Sequence, residues 1–248
     1  MTKWEIDVAV LCIFFARPEQ FRQSFAAVKK AKPKILLLWQ DGPRNENDMD
    51  KILECRRIAE DIDWDCRVYK NYHEKNMGCD PSTFLSHKWA FSIVDKCIIL
   101  EDDVIPAQSF FPFCKELLDK YENDTRIGRI CGQTLFDGVP DKRYSYFFAR
   151  SGSSWGWASW RRVAEKWEDD YRFIQDDYYI NLARHRFGHK RFEKSLSIAM
   201  KRAQEKIPYW EHIIGFETTL NSELVIYPTY NMISSVGASC NATHAPNN

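Results

Sequence analysis

The 248-residue sequence has no surplus of charge of either sign: 35 Lys and Arg stand against 35 Asp and Glu, for a formal net charge of +0. A nucleic-acid binder usually carries a basic excess, so the balance speaks against that class, local patches aside. No apolar run reaches the ~20 residues that span a bilayer. The first residues, Met1-Thr2-Lys3-Trp4-Glu5-Ile6-Asp7, are polar where a secretory signal needs an apolar stretch. There is no Cys-x-x-Cys pair, and the 8 Cys are scattered, which excludes the usual zinc spacings. Cys12, Cys97 and Cys131 lie inside apolar runs and read as free core thiols of a reducing compartment. The expected location is therefore cytoplasmic, with attachment at the inner face of a membrane left open, and the sequons at Asn123 and Asn241 are read as accidental. Internal repeats, low-complexity tracts and flexible linkers are also missing. One compact domain over 1–248 is expected, with a nucleotide-binding half, 1–131, and an acceptor-side half, 132–248.

What the chain does have is a set of short runs with no polar alternation: Val8 to Phe15, Ile35 to Trp39, and Cys97 to Leu100. Such runs are strands buried on both faces, as in parallel sheets. Between them apolar residues recur at helical spacing: Phe21, Phe25 and Val28, then Ile52 and Ile58, then Phe84, Trp89 and Ile93. Cys66 to Lys70 is a weaker strand. The order β-α-β-α-β predicts an α/β fold with a mainly parallel central sheet and helices on both faces. Asn71 to Ser82, with Asn76, Gly78 and Pro81, breaks the alternation and reads as a functional loop. Pro106 is expected to end strand pairing. Aromatics make up 15% of the chain, a high load; their flat faces suit sugar rings or bases, and most of them are also accounted for by filling the core.

The central run leads straight into Glu101-Asp102-Asp103. A buried strand cannot keep three charges inside, so they belong at its C-terminal edge, where open α/β sheets bind ligands. Three adjacent carboxylates call for a positive partner, and a hard divalent cation with oxygen ligands is the natural one. Asp41, in Asp41-Gly42-Pro43, also follows a strand. Small residues interleave with Trp155, Trp157 and Trp160 over Ser151–Trp160, which suggests a turn tight enough for backbone to approach a sugar or acceptor.

Taken in order, Arg17-Pro18-Glu19, Asp41-Gly42-Pro43, Asn76-Met77-Gly78, Glu101-Asp102-Asp103, Trp155-Gly156-Trp157, Tyr209-Trp210-Glu211, Tyr227-Pro228, Val236-Gly237 and His244 resemble the GT-A nucleotide-sugar glycosyltransferases. The likeness is to bacterial relatives of the N-acetylglucosaminyltransferase I group, and it runs from about Val8 to His244. It implies a three-layer α/β/α, Rossmann-like GT-A fold. It implies Mn2+ or Mg2+ held by Asp103 and His244. It also implies a nucleotide-sugar site made by Phe15, Arg17, Asp41, Asn76, Gly78, Glu101, Asp102, Trp155, Gly156 and Trp157. Glu211 takes the place of the general base, with Glu in place of the more common Asp, and Glu217 is the fallback acid on the same helix. One base and one metal favour direct displacement with inversion. A UDP-sugar is the expected donor and a saccharide or glycolipid of a surface polysaccharide or lipopolysaccharide the expected acceptor. Two other readings remain at this level. One is a metal-dependent nucleotidyltransferase, although Phe14 to Pro18 lacks the glycines of a phosphate loop. The other is a saccharide-binding protein without catalysis.

Overall fold

Apolar runs become strands whose every position is covered. In the computed structural model, which describes residues 5–134 and 143–237, β1 (Ala9–Phe14) is buried at all six positions. Beside it lie β2 (Ile35–Gln40), β3 (Arg67–Tyr72) and β4 (Lys96–Glu101), all parallel, in the order β3-β2-β1-β4. The crossovers are α1 (Pro18–Ala31), α2 (Met49–Ala59) and α3 (Cys79–Ile93). Pro18 sits in the first turn of α1, where its missing N–H costs nothing.

Beyond β4 come β5 (Val104–Pro106), α4 (Phe110–Lys120), β6 (Ile127–Cys131), β7 (Tyr146–Ala149), β8 (Trp157–Trp160) and α5 (Arg161–Ala164). They are followed by α6 (Asp177–Phe187), α7 (His189–Glu205), α8 (Trp210–Leu220), β9 (Leu224–Pro228) and β10 (Ile233–Ser235). The main sheet has eight strands in the order β3-β2-β1-β4-β8-β6-β9-β7. β8 runs antiparallel between β4 and β6, and β7 is an antiparallel edge; the other six share one direction. The sheet is thus mainly parallel, as expected, within a mixed α/β fold.

Strand register shows the three layers. Phe14 turns to one face and stacks on Phe21 of α1 at 4.3 Å. Its register partner Gln40 donates to the Ile52 carbonyl of α2 at 3.1 Å. Trp39, one residue earlier, turns to the other face and bonds Ser82 of α3 at 2.9 Å. In β8, Trp160 donates to the Leu118 carbonyl of α4, while Trp157 packs edge-on against His87 of α3. So α1, α2 and α4 cover one face, with α4 tied to α1 through Gln108 and the Ala27 carbonyl. α3 covers the other face together with α5 and α8.

One expectation holds and one is corrected here. Pro106 closes β5 as its last residue, facing Ile233 in a two-stranded antiparallel ribbon of β5 and β10. A proline is tolerated there because the ribbon is short and Pro106 is its last residue. The segment around Trp155 is only half a turn, since Trp157–Trp160 forms an interior strand. Among the described residues, no helix is long and apolar enough to cross a membrane.

Candidate active site

β1 to β2 steps one way along the sheet, and β3 to β4 returns to the other side of β1. The crevice above such a switch point is where doubly wound sheets bind ligands. A cavity of about 570 Å³ lies there, lined by Phe15, Arg17, Asp41, Arg44, Asp48, Lys51, Asn76, Gly78, Glu101 and Asp102, among others.

The acid triplet finds its positive partner first within the chain. Arg17, just before α1, donates from Nε and Nη2 to Asp102 and from Nη1 to Asp103 Oδ2 at 3.2 Å. The Phe15 N–H gives Asp102 a further bond of 3.2 Å. Asp102 is buried, its side chain 2% exposed, so it is a brace under the cavity and not a free ligand. Burial works against the Arg17 charge, but Asp102, Asp103 and Glu101 outweigh it and raise the guanidinium pKa. Among the described residues the Glu101 carboxylate makes no hydrogen bond or ion pair, and the Arg17 charge is the smallest of the effects on it. Burial, then the charges of Asp103, Asp102 and Glu211, push it up to about 8.

Asp103 is the more exposed of the two aspartates, its side chain 19% exposed against 2% for Asp102, but the cavity lining takes Glu101 and Asp102 from the triplet and not Asp103. Its Oδ2 meets Arg17, and its other oxygen accepts no hydrogen bond among the described residues. Gly237 presses against it: a Cβ there would lie 1.9 Å from Asp103 Oδ2. Gly237→Ala is therefore expected to swing the Asp103 carboxylate away. Nucleotide affinity in the presence of manganese should fall several-fold while the melting temperature barely moves; equal affinities would show that Asp103 is not a ligand. Among the described residues, no three His, Cys, Asp or Glu side chains converge as a metal cage. One available carboxylate suits a hard cation that takes one or two protein oxygens and the rest from phosphates and water. His244, the second expected ligand, lies outside the described residues.

Asp41 is largely committed to backbone. Its carboxylate accepts from the N–H groups of Gly42, Met77 and Gly78 and from Asn76 Nδ2, at 2.8–3.1 Å for the best contact of each. It thereby pins the Asn76–Gly78 turn against the end of β2 and shapes one cavity wall. Burial raises its pKa and these N–H groups pull it back, the burial effect being larger. Phe15 carries Arg44 over its ring at 5.1 Å, and Arg44 is itself held by Asp48 at 2.8 Å. Sequence reasoning missed Arg44, Asp48 and Lys51. The signal was there in part: they flank the start of the helix that follows Asp41-Gly42-Pro43.

Glu211, in the first turn of α8, accepts a 2.5 Å bond from Ser154 Oγ and a 3.4 Å bond from the Tyr209 hydroxyl. It lines a second cavity of about 380 Å³, with Gly152, Ser153, Trp155, Arg129, Arg191 and Lys194. It does not line the first cavity, although its charge adds to the upward shift of Glu101 there. Trp155, 47% exposed, is at the second cavity's surface.

Three expected site residues are placed elsewhere. Trp157 is 1% exposed and packed on His87 and Trp167, because in β8 it points into the α3 layer. Gly156, with φ +61°, lies under Ile233 and accepts from the Gly132 N–H; it permits the turn into β8 and lines neither cavity. Glu217 is six residues beyond Glu211, about 120° away around α8 and about one and two-thirds turns further along it. It is bonded to Asn221 and raised to about 7 by burial, with Glu168 and Glu223 adding to the rise. The folded state therefore holds this proton more tightly than the unfolded chain does. The associated stability is present below pH ~4.5 and is lost as pH rises through 7. Glu217→Gln is expected to raise the melting temperature at pH 8 and to flatten its decline between pH 5 and 8, with turnover retained; loss of turnover would make it the base.

No family model and no curated protein matches the chain. Among solved structures it is similar to the galactosyltransferase LgtC in complex with donor and acceptor sugar analogues, at 11% identity and a TM-score of 0.44 over 89% of this chain and 73% of that one. It is also similar to apo mouse xyloside xylosyltransferase 1, at 11% identity and 0.42 over 86% and 81%. A third is 4-diphosphocytidyl-2C-methyl-D-erythritol synthase from Anaerococcus prevotii, at 13% identity and 0.39 over 69% and 77%. At such scores the likeness says nothing of what this chain binds.

Proposed function

We propose that the chain is an inverting, metal-dependent glycosyltransferase that moves a sugar from a nucleotide diphosphate, expected to be UDP, to a saccharide acceptor. The supporting observation is Glu211, a carboxylate held by two hydroxyls in the wall of the second cavity, in a chain whose first cavity lies over the strand ends. The described lining of the first comes wholly from the 1–131 half. The second draws all but Arg129 from the 132–248 half, which agrees with one catalytic unit divided into donor and acceptor sides.

In this reading the nucleoside lies against Phe15, Arg44 and the Asp41-pinned Asn76–Gly78 turn, and the diphosphate points toward Asp103. Asp103 would hold Mn2+ or Mg2+, which neutralises charge on the departing diphosphate. Arg17 and Asp102 brace Asp103 in place. Glu211 takes the proton from the acceptor hydroxyl as that oxygen attacks the anomeric carbon from the side away from the diphosphate. Ser154 and Tyr209 fix the direction of the carboxylate. The acceptor class implied by the resemblance is a surface polysaccharide or glycolipid, reached from the cytoplasmic side. A nucleotidyltransferase would need a phosphate-cradling glycine loop after β1, and Phe15-Ala16-Arg17 has no glycine. The test is UDP release from a panel of UDP-sugars with and without manganese: metal-stimulated release supports the reading, and none with any donor or metal contradicts it.

A further inference from the structure

We propose that the cavity beside Glu211 takes an acceptor that carries a negative charge, a sugar acid or a sugar phosphate, and that Arg129 is the group that recognises it. This rests on the glycosyltransferase reading and names the substrate class of its acceptor side. Arg129 lies within β6, a strand buried at all five positions, and is itself 5% exposed. Its guanidinium lies over the Trp157 ring at 5.6 Å and forms part of the cavity wall. Among the described residues it makes no ion pair and donates no hydrogen bond, and its Nε is a buried donor without a partner. A buried cation left in this way is costly.

Arg162 shows what the fold does with an arginine that has a structural task. It too lies over a tryptophan, Trp160, at 4.4 Å, but it donates to the carbonyls of Tyr121, Glu122, Asp124 and Ile127 at 2.8–3.1 Å. Arg129 has the same aromatic seat and none of those acceptors. The chain also makes room beside it. Gly152 lies so close that a Cβ would sit 3.0 Å from Arg129 Nη2. Across the cavity, α7 presents Arg191 and Lys194, both exposed. The one acid in the described lining is Glu211, which is engaged by Ser154 and Tyr209. His212 adds no further positive charge, since burial pushes it down to about 4 and leaves it neutral. Two exposed cations and one buried, unpaired cation in a wall that also holds Trp155, Phe187 and Phe216 describe a seat for an anionic sugar.

The experiment is calorimetric titration of the full chain, at fixed ionic strength and with UDP and manganese present, with glucose, glucuronic acid and glucose 6-phosphate. The expected result is that one or both charged sugars bind at least about tenfold more tightly than glucose, the worth of one charge-assisted hydrogen bond. Which of the two binds better tells carboxylate from phosphate. In Arg129→Met the preference should vanish while UDP affinity stays within about twofold, and Arg129→Lys should recover part of it. Arg191→Ala with Lys194→Ala, on the exposed side of α7, should weaken the charged sugars a few-fold and provides a check that does not touch the core. Equal binding of charged and neutral sugars by the wild type, or a preference that survives in Arg129→Met, overturns the proposal. Failure to bind UDP with the sugar preference intact would instead overturn the transferase reading and leave the anion seat standing.

Discussion

Glu211→Gln is expected to lower kcat by about 10²- to 10⁴-fold, the usual worth of a positioned general base, with the donor KM changed by no more than about twofold. The amide keeps the shape and can still meet Ser154 Oγ and the Tyr209 hydroxyl, so folding should be intact. It has no lone pair basic enough to take a proton. Steady-state UDP release at saturating acceptor reads the loss. Donor hydrolysis without acceptor should fall less, because water is a poorer match for that seat. A variant with wild-type kcat would remove Glu211 from the chemistry.

Arg17→Met is expected to be the most damaging change for the fold. Asp102 has a side chain 2% exposed and takes two kinds of support, Arg17 and the Phe15 N–H. Removing the guanidinium leaves a buried carboxylate beside Glu101 and Asp103 with no counter-charge. Breaking a buried pair from one side costs about 3–5 kcal/mol. Arg17 is itself 26% exposed, so the lower end, about 3 kcal/mol, is expected, or a fall of about 6–12 °C in melting temperature for a chain of this length. The paired change Arg17→Met with Asp102→Asn should regain most of it, since the charge to be compensated is gone. Thermal melts of the two single variants and the double variant give the coupling directly. A double variant no more stable than Arg17→Met alone would mean that Arg17 acts by packing and not by pairing.

The fold was legible where a residue's neighbours in sequence decide its environment. Ile98 and Ile99, β-branched and without a polar break, could only be a strand covered on both sides, and Glu101 to Asp103 could only be its edge. Pro18 and Glu19 marked the start of α1 in the same local way. Legibility failed where the environment comes from far along the chain. Nothing near Trp157 in sequence says that His87 and Trp167 will enclose it, and nothing near Pro106 announces Ile233 as its partner. Of the candidate site, Asp41 and Glu101 to Asp103 were legible as carboxylates at strand ends, while Arg17, Asn76, Gly78 and Glu211 came from the resemblance. The site's inner wiring was not legible. That Arg17 would neutralise Asp102, that Asp41 would spend its oxygens on Gly42, Met77 and Gly78, and that Glu217 would turn away from Glu211 all depend on helix phase and loop closure, which only coordinates supply. Arg129 is the extreme case. A charged residue in a five-residue strand reads as an exposed face, yet β6 is interior on both sides.

The most direct measurement is a crystal structure of the chain soaked with UDP and manganese. The account predicts a uridine between Phe15 and the Asn76–Gly78 turn, with the metal between the diphosphate and Asp103 and the Glu211 carboxylate facing the open end of the diphosphate. Uridine bound away from the ends of β1, β2 and β4, or a diphosphate turned away from both Asp103 and Glu211, would contradict it.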